Sequence, residues 1–178
     1  MSNTTNTTNT TNTKKVIYCG LFVQPEDTEV LTAETKKHKS YDTWFNHHAT
    51  LSYLANKSDE EIKQDKSWAW VQENLGDEVE VLIWRLYGDE KGACFTLCPY
   101  QLQDVPYFLI KKNLHITSGT QAGTRPSYSN SLLDNFIHTL DIQEYTRKTS
   151  KLLIKQDLYI KLKLKVGYFA SDQKVHYS

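Results

Sequence analysis

Near the end of the chain Leu158, Ile160, Leu162, Leu164 and Val166 alternate with Lys161, Lys163 and Lys165. A period of two puts the apolar side chains on one face and the ammonium groups on the other, which a strand satisfies and a helix does not. Such a strand needs neighbours for its backbone and cover for its apolar face, so the chain must build a sheet with a core behind it. With 178 residues, of which 39% are hydrophobic and 12% aromatic, there is enough apolar material for one domain.

Other segments fill in the same architecture. Residues 16–23 (VIYCGLFV) read as a buried strand, and Pro25 followed by Glu26 and Asp27 opens a helix reaching about residue 37. Residues 48–54 (HATLSYL) are a second strand. Ser58 with Glu61 forms a capping box, and Trp68, Val71 and Leu75 recur at helical spacing before Gly76. Val79, Val81 and Ile83 alternate with Glu78 and Glu80, and residues 88–92 (GDEKG) turn the chain back into a hairpin through Cys98. A short strand follows at 114–117. Leu132, Leu133, Phe136, Ile137 and Leu140 mark one face of a further helix. The fold class is therefore α+β with mainly antiparallel strands.

The first residues repeat Asn-Thr-Thr and can build no core, so residues 1–14 read as a disordered tail and residues 15–178 as the folded domain. Lys and Arg number 21 and Asp and Glu 21, which excludes a large nonspecific polyanion footprint but leaves a local basic patch open. The cancellation is uneven, with an acidic excess from Ser58 to Lys91 and a basic excess from Asp141 onward. No apolar run is long enough for a membrane helix, and no secretion signal follows Met1. Cys19, Cys94 and Cys98 are an odd set without a disulfide pattern. The expectation is a soluble, cytoplasmic protein without a membrane partner. Glycine-rich phosphate loops are absent from the sequence, so no nucleotide cofactor is expected.

Two segments share a pattern 67 residues apart: His48-Ala49-Thr50-Leu51 and His115-Ile116-Thr117-Ser118. Residues i and i+2 of a strand share a face, so His48 projects with Thr50 and His115 with Thr117. Side by side, the two strands would bring two imidazoles and two hydroxyls to one cleft. That set suits metal-free phosphodiester chemistry. A neutral imidazole takes a proton from the nucleophile, an imidazolium gives one to the leaving oxygen, and hydroxyls hold the phosphate oxygens. Histidine followed two residues later by Ser also occurs at His38 and His176, but one lies among lysines and the other at the chain end. The residues alone leave open that His48 and His115 are ordinary strand residues that never meet.

At these residues the chain resembles the 2H phosphoesterase superfamily. The likeness extends to the opening strand VIYCGLF, to HATL at the first motif, and to residues 115–133 (HITSGTQAGTRPSYSNSLL) at the second. It is similar to the branch holding the cyclic phosphodiesterase domain of fungal tRNA ligases and phage anti-CBASS cyclic-oligonucleotide nucleases. The resemblance implies a bilobal fold, two antiparallel sheets with pseudo-twofold symmetry around a central cleft and helices outside. It also implies an acid/base pair at His48 and His115 and phosphate-binding hydroxyls at Thr50 and Thr117. The implied substrate is a cyclic di- or oligonucleotide, as in viral evasion of CBASS-type immunity, or an RNA end carrying a 2′,3′-cyclic phosphate. A non-catalytic nucleotide-binding module is the alternative. Ser118 stands where an apolar residue is usual, and Leu114 where proline is common.

Tyr18 is a candidate base-stacking ring, with a core tyrosine as the alternative, and Arg125 is a candidate phosphate contact in the loop beside the second motif. Trp68, Trp70 and Trp84 read as packing residues, with base-stacking platforms as the alternative, and Lys161, Lys163 and Lys165 as a solvated strand face, with contact to an RNA backbone as the alternative. His47-His48 and Cys94-x3-Cys98 lack a second ligand pair at zinc spacing, so no metal is expected.

Overall fold

The structure, a computed structural model, describes residues 14–98, 106, 114–137 and 152–178. The Asn-Thr repeat and Leu140 lie outside the described residues. Of the first fourteen residues only Lys14 is described, and its ammonium pairs with Asp172 at 2.9 Å.

The β-branched opening run forms β1 (Val16–Phe22), and Pro25 starts α1 (Pro25–Lys36) with Glu26 and Asp27 in its first turn. β2 (Thr43–Trp44) and β3 (His48–Tyr53) follow. The capping box at Ser58 and Glu61 is present, yet the helix it opens is short. What reads as one helix is two, α2 (Asp59–Lys63) and α3 (Lys66–Glu73), because Asp65 supplies a second N-cap by accepting from the Trp68 N–H at 2.9 Å. β4 (Glu78–Gly88) and β5 (Gly92–Leu97) form the hairpin, whose turn is held by Asp89 Oδ1 accepting from the Lys91 and Gly92 N–H groups. β6 (His115–Thr120), α4 (Tyr128–Ile137), β7 (Ile154–Ala170) and β8 (Val175–His176) complete the described elements.

Among the described residues every strand pairing is antiparallel, in the order β1-β3-β6-β5-β4-β7-β8, with β2 against β6. β7 also pairs with β1, so six strands form a closed circuit. β7 makes that closure. At about 3.3 Å per residue its 17 residues are long enough to run first along β4 and then along β1. Two sheets are implied by the resemblance; the strands instead form one hydrogen-bonded network, joined through β7 and a single β3–β6 residue pair.

Alternation decides the two faces. Leu21, Ala49, Leu51, Ile83, Phe95, Ile116, Leu164 and Val166 are fully buried in one cluster, together with Leu31 of α1 and Val71 of α3. On the opposite face of β7, Lys161 pairs with Glu80 and Lys163 with Glu78, both at 3.4 Å. The acidic middle and basic end of the sequence thus meet as neighbouring strands, and this is where part of their charge cancels.

Candidate active site

The two motif strands are adjacent, and their central residues, Ala49 and Ile116, pair directly across the antiparallel ladder. Both are fully buried, so the flanking His48, Thr50, His115 and Thr117 share the opposite face, all four half-buried. The antiparallel direction puts His48 on the Thr117 side of the pair and Thr50 on the His115 side. Each imidazole therefore neighbours the other motif's hydroxyl, and the two imidazoles lie on a diagonal. Ladder geometry gives such diagonals about 7–8 Å between backbones, the scale on which one phosphate fits between two rings. The cations interact accordingly: a charge on His115 disfavours a charge on His48.

A register slip presents His48. Upstream, Thr43 pairs with Thr120 and Trp44 with Gly119, and the Phe45 and Asn46 N–H groups donate to the carbonyls of Ser118 and Thr117 at 2.8 and 2.9 Å. By the Ala49–Ile116 pair the register has moved by two residues. Asn46 starts this bulge at φ 56, a left-handed conformation that asparagine tolerates better than most residues. Its Nδ2 donates to Thr32 Oγ1 at 2.9 Å, and that hydroxyl donates to the Thr28 carbonyl at 2.8 Å, so the bulge is tied to α1. The buried Asn46 Oδ1 has no hydrogen-bond partner among the described residues.

His48 sits against aromatic rings. Tyr18 stacks on it at 4.4 Å between centroids, and Phe22 lies 5.7 Å away. Phe169 stacks on Tyr18 at 5.2 Å, and Tyr177 meets Phe22 edge-on at 6.0 Å. The Tyr18 hydroxyl is 3.5 Å from His48 Nδ1. Burial, reinforced by the neighbouring His47 and His115, lowers the His48 pKa to about 4. Burial raises the Tyr18 phenol to about 12. At neutral pH His48 is a neutral base beside a neutral phenol.

The second motif is braced from the other side. Thr117 Oγ1 donates to the Pro126 carbonyl at 3.4 Å and lies 3.1 Å from Ser129 Oγ at the start of α4. Leu132, Leu133 and Phe136 of α4 pack on Tyr87 and Cys94, and Cys94 pairs in register with Thr117. The SYSNSLL segment therefore flanks the site. Ser118, the departure noted in the sequence, has a structural reason: its hydroxyl lies 2.7 Å from Thr35 Oγ1, both fully buried, joining β6 to α1.

Of the residues singled out in the sequence, His48, Thr50, His115, Thr117 and Tyr18 come together on one face. Arg125 is exposed in the loop before α4, where its carbonyl accepts from the Tyr128 N–H at 3.0 Å. Trp68 and Trp70 pack on the core, whereas Trp84 is exposed with the Arg85 guanidinium 5.0 Å from its ring. His176 stacks on Tyr168 and bonds Asp172 at 3.1 Å, and His38 is exposed in a turn. All three cysteines are buried, and among the described residues no three His, Cys, Asp or Glu side chains are grouped to hold a metal ion. No helix among the described residues is long and apolar enough to cross a membrane.

Phe22, Phe169, Tyr177 and Ser129 were not legible as site residues. Phe22 shares its strand with Tyr18 four positions away, which is a usable signal. Phe169 and Tyr177 arrive only through the closure of β7 onto β1 and the return of β8.

Among curated proteins no match is found. The profile of the family described as the fungal tRNA ligase phosphodiesterase domain matches residues 28–165, a span that holds both motif strands and most of the sheet. The chain belongs to that family, and so to the 2H phosphodiesterases, which are hydrolases.

Proposed function

We propose that His48, His115, Thr50 and Thr117 form the catalytic centre and that the substrate is an RNA end carrying a 2′,3′-cyclic phosphate. The observation that carries this reading is the direct pairing of Ala49 with Ile116, which supports a shared site by setting the two motifs on adjacent strands. The family match supports the RNA-end substrate.

His48, whose pKa is held at about 4, is the neutral group at pH 7 and is assigned as general base. It removes a proton from water as the oxygen attacks phosphorus. His115 gives a proton to the ribose oxygen that leaves, so one P–O bond forms as one breaks. An arriving phosphate anion favours protonated histidine and raises the basicity of His48 as the reaction needs it. Thr50 donates to one non-bridging oxygen, and the Thr117 hydroxyl turns from the Pro126 carbonyl to donate to the other. Tyr18 offers a face for the terminal base, and Arg125 a charge at the loop rim. This route uses no metal or cofactor.

A second reading, cleavage of cyclic di- or oligonucleotides as in evasion of CBASS-type immunity, uses the same side chains with a substrate 2′-hydroxyl in place of water. The row of Tyr53, Tyr18 and Phe169 across β3, β1 and β7 favours it, because that row exceeds the width of one base. Incubation in EDTA with RNA ends bearing cyclic phosphate and with cyclic dinucleotides, products identified by mass, separates the two. Hydrolysis of the RNA end supports the first reading. Cleavage of the cyclic dinucleotides alone supports the second, and binding without turnover supports a non-catalytic module.

A further inference from the structure

On the face of the sheet that carries the motifs, the register runs from His48 to Phe22 to Lys165 across β3, β1 and β7. On the other side it runs from His115 to Thr96 to Arg85 across β6, β5 and β4. Each histidine thus has a cation two strands away, and the two cations differ in what neutralises them. Arg85 Nε donates to Asp157 Oδ1, and Nη1 donates to the Tyr87 hydroxyl at 3.1 Å. Lys165 has no carboxylate partner among the described residues. Glu78 lies across from it in β4, but that carboxylate pairs with Lys163 at 3.4 Å, and Glu80 pairs with Lys161. The half-buried Lys165 instead holds its ammonium 5.0 Å from the centre of the Tyr177 ring. That ring is seated over Gly167, where a Cβ would stand 2.9 Å from it. It lies T-shaped to Phe22 with centroids 6.0 Å apart, and Phe22 neighbours His48.

We propose that Lys165 is a subsite for a second phosphate, the internucleotide phosphate on the 5′ side of the nucleotide whose cyclic phosphate lies between the histidines. The proposal rests on the RNA-end reading above and deepens it to an oligonucleotide end. Strand spacing puts Lys165 about 10 Å from His48 backbone to backbone, and the lysine stem closes that gap to roughly one phosphate step along an extended strand. A compact ammonium on a long stem suits one phosphate without fixing its orientation. Because Arg85 is already paired with Asp157, Lys165 is the receptive one of these two in-register cations. The RNA then runs from the motif strands over Phe22 and Tyr18 toward β7.

The test compares two substrates of wild type and Lys165→Gln: a mononucleoside 2′,3′-cyclic phosphate, and a dinucleotide with one internal phosphate and the same cyclic end. Loss of one charge-assisted phosphate contact should raise KM for the dinucleotide about fivefold or more, against less than about twofold for the mononucleotide. Its salt slope should fall by about 0.7, the value for one single-strand contact, and Lys165→Arg should restore most of the affinity. Equal KM changes on both substrates, or none on either, overturn the subsite. Wild type that turns over neither substrate refutes the catalytic reading instead. In that case Kd for the 3′-phosphorylated dinucleotide decides the subsite: weakening by Lys165→Gln supports it, and unchanged binding overturns it.

Discussion

The ring of Tyr18 lies nearly parallel to the imidazole of His48, with centroids 4.4 Å apart and an interplanar angle of 22°. Its hydroxyl reaches to 3.5 Å from Nδ1. This contact keeps water off the imidazole and fixes its plane, and burial is the largest cause of the low His48 pKa. Tyr18→Phe retains the stack, so the acidic limb of its kcat/KM profile should stay where wild type has it. Tyr18→Ala admits water, lets the His48 pKa rise toward its ordinary value near 6.5, and should move that limb upward by a pH unit or more. A pH–rate series on the three proteins reads the difference.

The same burial predicts acid lability with a definite sign. Folded His48 stays neutral down to about pH 4, whereas in the unfolded chain it takes up a proton near pH 6.5. Below 6.5 the unfolded state binds the extra proton, so stability falls with pH until the folded residue also titrates near 4. The full window is worth about 3 kcal/mol. Urea unfolding at pH 7 and pH 4.5 should show wild type losing about 2–3 kcal/mol more than His48→Gln over that interval. Equal losses would show that His48 is not desolvated.

The Thr35–Ser118 hydroxyl pair predicts a coupled stability effect. Thr35→Val leaves the fully buried Ser118 hydroxyl without that partner and should cost about 1–3 kcal/mol in urea unfolding. Adding Ser118→Ala removes the stranded group, so the double variant should recover most of the loss. A double variant as unstable as the sum of the singles would contradict the assignment.

What the sequence made legible was whatever short-range periodicity encodes. The alternation that ends in Val166 places β7, and the two His-x-Thr strands are readable as carriers of one face. Asp65 was available as a second cap, but its signal is submerged in the helical spacing of Trp68 and Val71, so α2 and α3 merge on reading. β2 and β8 are two residues each and leave no periodic trace. Closure of β7 onto β1 is a property of register; it brings Phe169 to the site, and the return of β8 brings Tyr177. Ser118 looks anomalous in a strand until Thr35, 83 residues away, supplies its partner.

Asn46 should matter through geometry. Its φ of 56 penalises any residue with a Cβ except asparagine and its near relatives, while its amide ties the His48 bulge to Thr32. Asn46→Ala should lose about 1–2 kcal/mol, the cost of the left-handed conformation. Asn46→Gly should relieve that backbone penalty yet still lower kcat by about tenfold with little change in KM, because His48 is presented less rigidly. Unfolding curves beside steady-state kinetics separate the two effects.

The central claim is that two histidines from two paired strands act together on one phosphodiester. The direct measurement is hydrolysis of an RNA end bearing a 2′,3′-cyclic phosphate, in excess EDTA, by wild type, His48→Ala and His115→Ala. Wild type should retain full turnover under chelation, and each variant should fall by at least about 10²-fold, the usual worth of one acid or base. Undiminished turnover by either variant would contradict the account.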